Sequence, residues 1–160
     1  MADLLECLIQ IKGVADTPRR LALRLAAQAA GGVGGQRGLR IARWMAEAES
    51  RFAGCLTLML SDDRSALAPL PTVRMSATAR QSEGEADAAQ WLSAFSDRRA
   101  QTVALLERCS AEQLGRIGLE PSRGPMTVAD LVAVMLAHDT DCLGEIGGTA
   151  QPTHEGMTPT

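Results

Sequence analysis

The segment that most constrains this chain is residues 127–146, which read TVADLVAVMLAHDTDCLGEI. Side chains suited to a protein interior recur there at intervals of three and four residues, namely Val128, Leu131, Met135, His138, Cys142 and Ile146. Side chains at these intervals share one face of an α-helix. The pattern predicts a helix whose inner face carries the only histidine that precedes the C-terminal tail.

Composition narrows the fold class. Aromatic residues make up only 2 % of the 160-residue chain, which has no tyrosine. Small and aliphatic side chains favour helices, whereas sheets favour aromatic and β-branched residues. The length suits one domain with its own core. We therefore expect an all-α domain over residues 1–148, followed by a polar, disordered tail over residues 149–160.

Charge and cysteine usage exclude several classes of protein. A formal net charge of -3 argues against a nucleic-acid partner, because such a surface needs an excess of Lys and Arg. No apolar run is long enough to span a bilayer, and the N-terminus lacks the pattern of a signal peptide. The four cysteines are widely spaced and do not form a disulfide framework or a zinc ribbon. We expect no membrane association and a cytoplasmic location.

The first half of the chain predicts two helices joined by a connector. Residues 3–30 are apolar at helical spacing, but Gly13 and Pro18 predict a broken or kinked helix. The glycine run at 31–35 has no preceding strand and no following GK[ST], so it is interpreted as a plain connector and not a phosphate-binding loop. Residues 39–60 predict the second helix.

The second half begins with a long connection. Residues 65–84 contain two prolines and a polar half, which favours a crossover over a tight turn. A third helix is predicted over 85–108 and a short helical turn over 110–114. Thr127, with Asp130 three residues later, is expected to cap the last helix. The predicted architecture is a four-helix bundle with one long crossover between helices 2 and 3.

Four short segments carry a family resemblance through their order and spacing. They are IARWMAEAESRF at 41–52, FSDRR at 95–99, LLERCSAEQL at 105–114 and AHDTDCLGEI at 137–146. Together they resemble the DinB-like family of bacterial four-helix bundles. The resemblance spans residues 4–146 and implies that bundle fold, often as a homodimer.

The resemblance also implies a site. The family typically places one histidine of the second helix and two of the last helix around a divalent metal. At the matching positions this chain has Trp44, His138 and Cys142. The indole N–H of tryptophan is a donor with no available lone pair, so the three-histidine site cannot form.

Two interpretations of this departure stay open. In the first, His138 and a Cys142 thiolate hold a divalent ion such as Zn, Ni or Fe, with Glu49, Asp139 or Asp141 and water completing the shell.

In the second interpretation there is no metal cofactor. Trp44 fills the former metal cavity, His138 forms a hydrogen bond with a neighbour, and Cys142 packs as a small apolar side chain. This interpretation is favoured because it leaves no ligand position unsatisfied.

Other candidate residues have alternatives too. Glu49 is expected either to orient a metal ligand or to pair with Arg98 or Arg99. A Cys142 nucleophile with His138 as its base is disfavoured, because no oxyanion donors are identifiable nearby. His154 is expected to be solvated in the tail.

Two classes of function follow. The resemblance implies a metal- and thiol-dependent transferase or hydrolase with an altered metal site. The alternative is a non-catalytic bundle that binds a small-molecule ligand or a partner in a pocket bounded by Trp44, His138 and Cys142.

Overall fold

Five α-helices, one 3-10 helix and three short strands make up the computed structural model, which describes residues 4–31, 35–77 and 87–146. The elements, in chain order, are α1 Leu4–Gly31, α2 Gly35–Ser61, β1 Ser65–Ala66, a 3-10 helix over Val73–Ala77, α3 Ala88–Glu107, α4 Ala111–Leu114, β2 Ile117–Glu120, β3 Gly124–Thr127 and α5 Val128–Ile146. The predicted tail over 149–160, with His154, and the crossover residues 78–86 lie outside the described residues.

The four long helices form the predicted bundle. The first and last run in the same direction, because Thr17 contacts Asp139 and Gln28 Nε2 donates to the Ile146 carbonyl 2.8 Å away. The two middle helices also run parallel to each other, since Arg43 of α2 lies over the Trp91 ring of α3, and Arg98, further along α3, donates to the carbonyl of Ala46, further along α2. Two consecutive parallel helices need a long connection, so the predicted crossover between α2 and α3 is confirmed.

The first helix has no break, although a broken or kinked helix was expected. It runs through both Gly13 and Pro18. A proline has no N–H for the carbonyl four residues earlier, which here belongs to Val14. Arg99 Nη1 donates to that carbonyl at 2.8 Å. A side chain from α3 therefore replaces the hydrogen bond that proline removes.

A small sheet accompanies the helices and was not predicted. The strand order is β1-β2-β3. Strand β1 pairs parallel with β2, and β2 pairs antiparallel with β3. The strands have two to four residues each, too short for alternation to be visible in the sequence. The third strand leads directly into α5, so the sheet determines where that helix starts.

Residues predicted to cap the helices form those caps in the structure. Thr127 Oγ1 accepts from the Asp130 N–H at 3.0 Å, and the Asp130 carboxylate accepts from the Thr127 N–H at 2.9 Å. Ser110 and Gln113 form the same reciprocal pair at the start of α4. The third helix starts later than predicted, at Ala88, because Asp87 caps it. Among the described helices, none has the length and apolarity required to cross a membrane.

Candidate functional site

The centre of the site is a hydrogen bond between two buried rings. Trp44 lies in the middle of α2 and His138 in the middle of α5, and they are only 2 % and 5 % exposed. Trp44 Nε1 donates to His138 Nε2 over 3.1 Å. Because an indole N–H can only donate, Nε2 is the acceptor, and the proton of the neutral imidazole is on Nδ1.

The surroundings keep this imidazole neutral. The ring of Phe52 meets it edge-on, with centroids 5.4 Å apart. Burial lowers the pKa of His138, and the charge of Arg99 lowers it further, whereas Asp139 and Asp141 act in the opposite direction. A neutral ring is the form that accepts the Trp44 hydrogen bond. The Arg51 guanidinium lies over the Trp44 ring, 5.5 Å from the ring centroid.

Cys142 lies beside the histidine, as the four-residue spacing predicts. Its Sγ is 3.6 Å from His138 Nε2 and 3.9 Å from Nδ1. Burial raises the pKa of the Cys142 thiol, and the negative charges of Asp139 and Asp141 raise it further. At neutral pH the side chain is a thiol, whereas both a nucleophile and a metal ligand need a thiolate.

A second buried cluster lies next to these rings. Arg99 binds the Asp139 carboxylate through two nitrogens, Nη1 to Oδ2 at 2.6 Å and Nη2 to Oδ1 at 3.0 Å. The Thr17 hydroxyl donates to the same Oδ2 at 2.6 Å, and Arg99 Nε donates to Glu49 Oε2 at 2.8 Å. Thr17, Glu49, Arg99 and Asp139 come from α1, α2, α3 and α5 in that order. We call these four residues the buried polar cluster.

The charges in this cluster stabilise one another. Burial opposes the charge of the guanidinium, but Asp139 and Glu49 outweigh it and raise the pKa of Arg99. Of the two arginines proposed as partners of Glu49, Arg99 is the one that binds it. Arg98 donates to a backbone carbonyl instead.

Sequence reasoning offered Arg99 as a partner of Glu49 but missed the complete burial of Arg99 and its ion pair with Asp139. The sequence contained a signal for the burial of Arg99. This residue lies four residues after Phe95 and four before Val103, on the apolar stripe of α3. A charged residue on such a stripe indicates a buried ion pair.

A groove of about 570 Å³ opens beside His138. Its walls are the crossover and 3-10 helix on one side, the β2–β3 turn on another, and α5 as the floor. They contribute Pro71, Arg74, Arg123, Val134, His138 and Asp141. Of the three residues expected to bound a pocket, only His138 borders this groove, because Trp44 and Cys142 are buried behind it.

Comparison with known proteins gives the family. The sequence model of the DinB superfamily matches residues 19–146. The chain belongs to the DinB superfamily. No curated protein matches it in sequence. Among solved structures, YfiT from Bacillus subtilis, described as a probable metal-dependent hydrolase with an unusual four-helix bundle topology, superposes with a TM-score of 0.74 at 15 % identity. The match covers 91 % of this chain and 86 % of YfiT. At that identity the likeness shows the shared fold alone.

The residues of this DinB-superfamily chain do not fit a divalent metal. The Nε2 lone pair of His138 is engaged by an indole, and Cys142 is protonated. The carboxylate of Asp139 is bound by Arg99 and Thr17. Over residues 4–31, 35–77 and 87–146, no group of three or more His, Cys, Asp or Glu side chains could hold a metal ion. No catalytic step through a metal follows from this arrangement.

Proposed function

We propose that this DinB-superfamily protein works without a metal and binds a small molecule in the groove beside His138. The observation that carries the proposal is the hydrogen bond from Trp44 Nε1 to His138 Nε2. It uses the lone pair that a metal would need. A metal-dependent transferase or hydrolase would have to displace the indole and deprotonate a buried thiol.

The groove has the features of a small-molecule site. Its volume of about 570 Å³ falls within the range of such sites. Apolar side chains of Val73, Val134 and Ala137 line it together with a few polar groups. Apolar walls with a few placed polar groups bury a ligand and orient it.

Metal content tests the first part of the proposal. Wild-type protein, purified untagged after growth with added Zn, Ni, Fe and Mn, should contain less than about 0.1 metal ion per chain by elemental mass spectrometry. The Trp44→His variant supplies a third ligand and should retain more metal than wild type. The matched control is Trp44→Phe, which removes the indole N–H without adding a ligand and should stay metal-poor. About one ion per wild-type chain, lost in His138→Ala, would favour the metal-dependent enzyme instead.

Ligand-observed NMR with a fragment library tests the second part. Fragments that bind in the groove should lose their saturation-transfer signal in Ala137→Trp, where the indole fills the groove. The control is Ala104→Trp on α3, an exposed alanine that does not line the groove. If every fragment signal survives Ala137→Trp, the groove is not a binding site.

A further inference from the structure

We propose that the groove is selective for anions and binds a small molecule with a carboxylate or phosphate group attached to an apolar body. This inference rests on the proposed function, because it names the class of ligand that the same groove would take. The residues assigned to bind the anionic group are Arg74 and Arg123. Neither arginine occupies a position that matches a metal ligand of the family.

The two guanidinium groups are available for a ligand. Arg74 lies in the 3-10 helix and Arg123 in the turn between β2 and β3, and both are exposed at the groove. Neither side chain has a hydrogen bond or an ion pair with any residue in the described part of the chain. An exposed guanidinium keeps five N–H donors in a planar fork, which matches the oxygens of carboxylates and phosphates.

A buried carboxylate holds the two arginine-bearing walls together. Glu120 is only 4 % exposed, and its Oε2 accepts from the backbone N–H groups of Ser122 at 2.8 Å and Arg123 at 2.6 Å. Its Oε1 faces the Leu70 N–H of the crossover at 3.4 Å. The turn and the crossover are thereby joined before any ligand arrives, which reduces the entropy lost on binding.

The charge and polarity of the lining define the ligand class. Among the described residues that line the groove, Asp141 is the one acidic side chain, against two arginines, so this part of the lining carries a net positive charge in a chain of net charge -3. The floor is apolar along α5, at Ala133, Val134 and Ala137. An anion with a short hydrocarbon body matches both the positive charge and the apolar floor, because its charged end pairs with arginine and its body covers the floor.

Three probes with six carbon atoms each separate charge from apolar burial. Hexanoate, hexyl phosphate and hexanol are titrated into the full chain and followed by NMR chemical shifts of the His138 ring, which borders the groove. We expect both anions to bind about tenfold more tightly than hexanol at low salt, and this preference to shrink as salt is added. The preferred anion distinguishes a carboxylate ligand from a phosphate ligand.

Variants assign the effect to the two arginines. Arg74→Gln and Arg123→Gln should each weaken anion binding about tenfold and leave hexanol binding unchanged. The control is Arg24→Gln on α1, an exposed arginine away from the groove that makes the same change in net charge. Circular dichroism checks that each variant is folded.

The possible results separate the two proposals. Equal affinities for hexanol and the anions, or equal effects of the Arg24 and groove variants, overturn the anion selectivity while a ligand site still stands. Groove fragments that are all neutral overturn it in the same way. If neither fragments nor probes respond to Ala137→Trp, the proposed ligand site and its anion selectivity are both wrong.

Discussion

A tryptophan at the position of an expected ligand changes the chemistry of its histidine neighbour. An imidazole among ligands offers a lone pair to a metal, whereas Trp44 donates its N–H into that lone pair. The exchange of one residue type on α2 thus changes what His138 on α5 can do. Cys142, one helical turn away, is also a poor metal ligand, because burial keeps its thiol protonated.

The neutrality of His138 gives a pH-dependent stability. Its pKa lies below the ordinary value of 6.5, so the unfolded chain takes up a proton at a pH where the folded chain does not. The free energy of unfolding should therefore fall as the pH drops below about 6.5, with a limiting slope of about 1.4 kcal/mol per pH unit. Urea denaturation between pH 7.5 and 5 measures it.

The matched variant for this measurement is His138→Gln, whose side-chain carbonyl can accept from Trp44 but does not titrate. Its free energy of unfolding should depend less on pH than that of wild type. Parallel pH profiles for the two proteins would show that the buried imidazole is not responsible.

At the scale of elements, two close contacts explain features that helix propensity does not. The first is the passage of α1 through Pro18, where Arg99 of α3 binds the carbonyl that has lost its intrahelical donor. The second is the approach of β2 to α2. A Cβ on Gly118 would lie 2.7 Å from Leu67 Cδ1 and 2.9 Å from Met59 Cγ. The strand can lie this close because Gly118 has no side chain.

Two glycine substitutions should therefore change stability in opposite directions. Gly118→Ala overpacks the contact with Leu67 and Met59 and should lower the free energy of unfolding by about 1–3 kcal/mol. Gly54→Ala lies inside α2, where no atom outside its chain neighbours and the backbone of its own helix is within 4 Å of the Cβ position, and should raise it by about 0.5–1 kcal/mol. Chemical denaturation of both variants tests this. A Gly118→Ala protein as stable as wild type would mean that the strand moves away without cost.

At the scale of the whole molecule, the buried polar cluster connects all four long helices. The cluster contains the only ion pairs among the described residues in which both side chains are almost completely buried. These pairs are Arg99 with Asp139 and Arg99 with Glu49. A buried pair is costly to form and more costly to break, because removing one partner leaves the other charge unpaired. The cluster therefore favours the one helix arrangement in which all its members meet.

Arg99→Met tests this role. It leaves the Glu49 and Asp139 carboxylates buried without a cation and should lower the free energy of unfolding by about 3–5 kcal/mol. The control, Arg98→Met on the same helix, removes a single hydrogen bond to a backbone carbonyl and should cost about 1 kcal/mol. Guanidinium denaturation followed by circular dichroism and by tryptophan fluorescence gives both values. Similar losses in the two variants would contradict a special role for Arg99.

Some expectations about the whole molecule stay predictions. They are the cytoplasmic location and the homodimer that the family resemblance implies. Apolar side chains at the start of α1, including Leu4, Leu8 and Ile9, are about half exposed or more. Size-exclusion chromatography with light scattering measures the oligomeric state directly.

Local patterns in the sequence determined the helices, their caps and the inner face of α5. A cap such as Thr127 with Asp130 spans three residues, and a helical stripe repeats every three or four, so both are visible along the chain. Even the pairing of His138 with Cys142 follows from a separation of four.

Only the tertiary structure decided which partners the buried polar side chains have. Trp44 and His138 are 94 residues apart in sequence, and Thr17 and Asp139 are 122 apart. Arg74 and Arg123 are far apart in sequence but line one groove, and Glu120 contacts backbone N–H groups of the crossover and of the turn that carries Arg123. Periodicity shows that a side chain faces inward but not which helix it meets there. That depends on how four helices and a long crossover pack, because buried polar groups are stabilised by the partners that other elements bring to them.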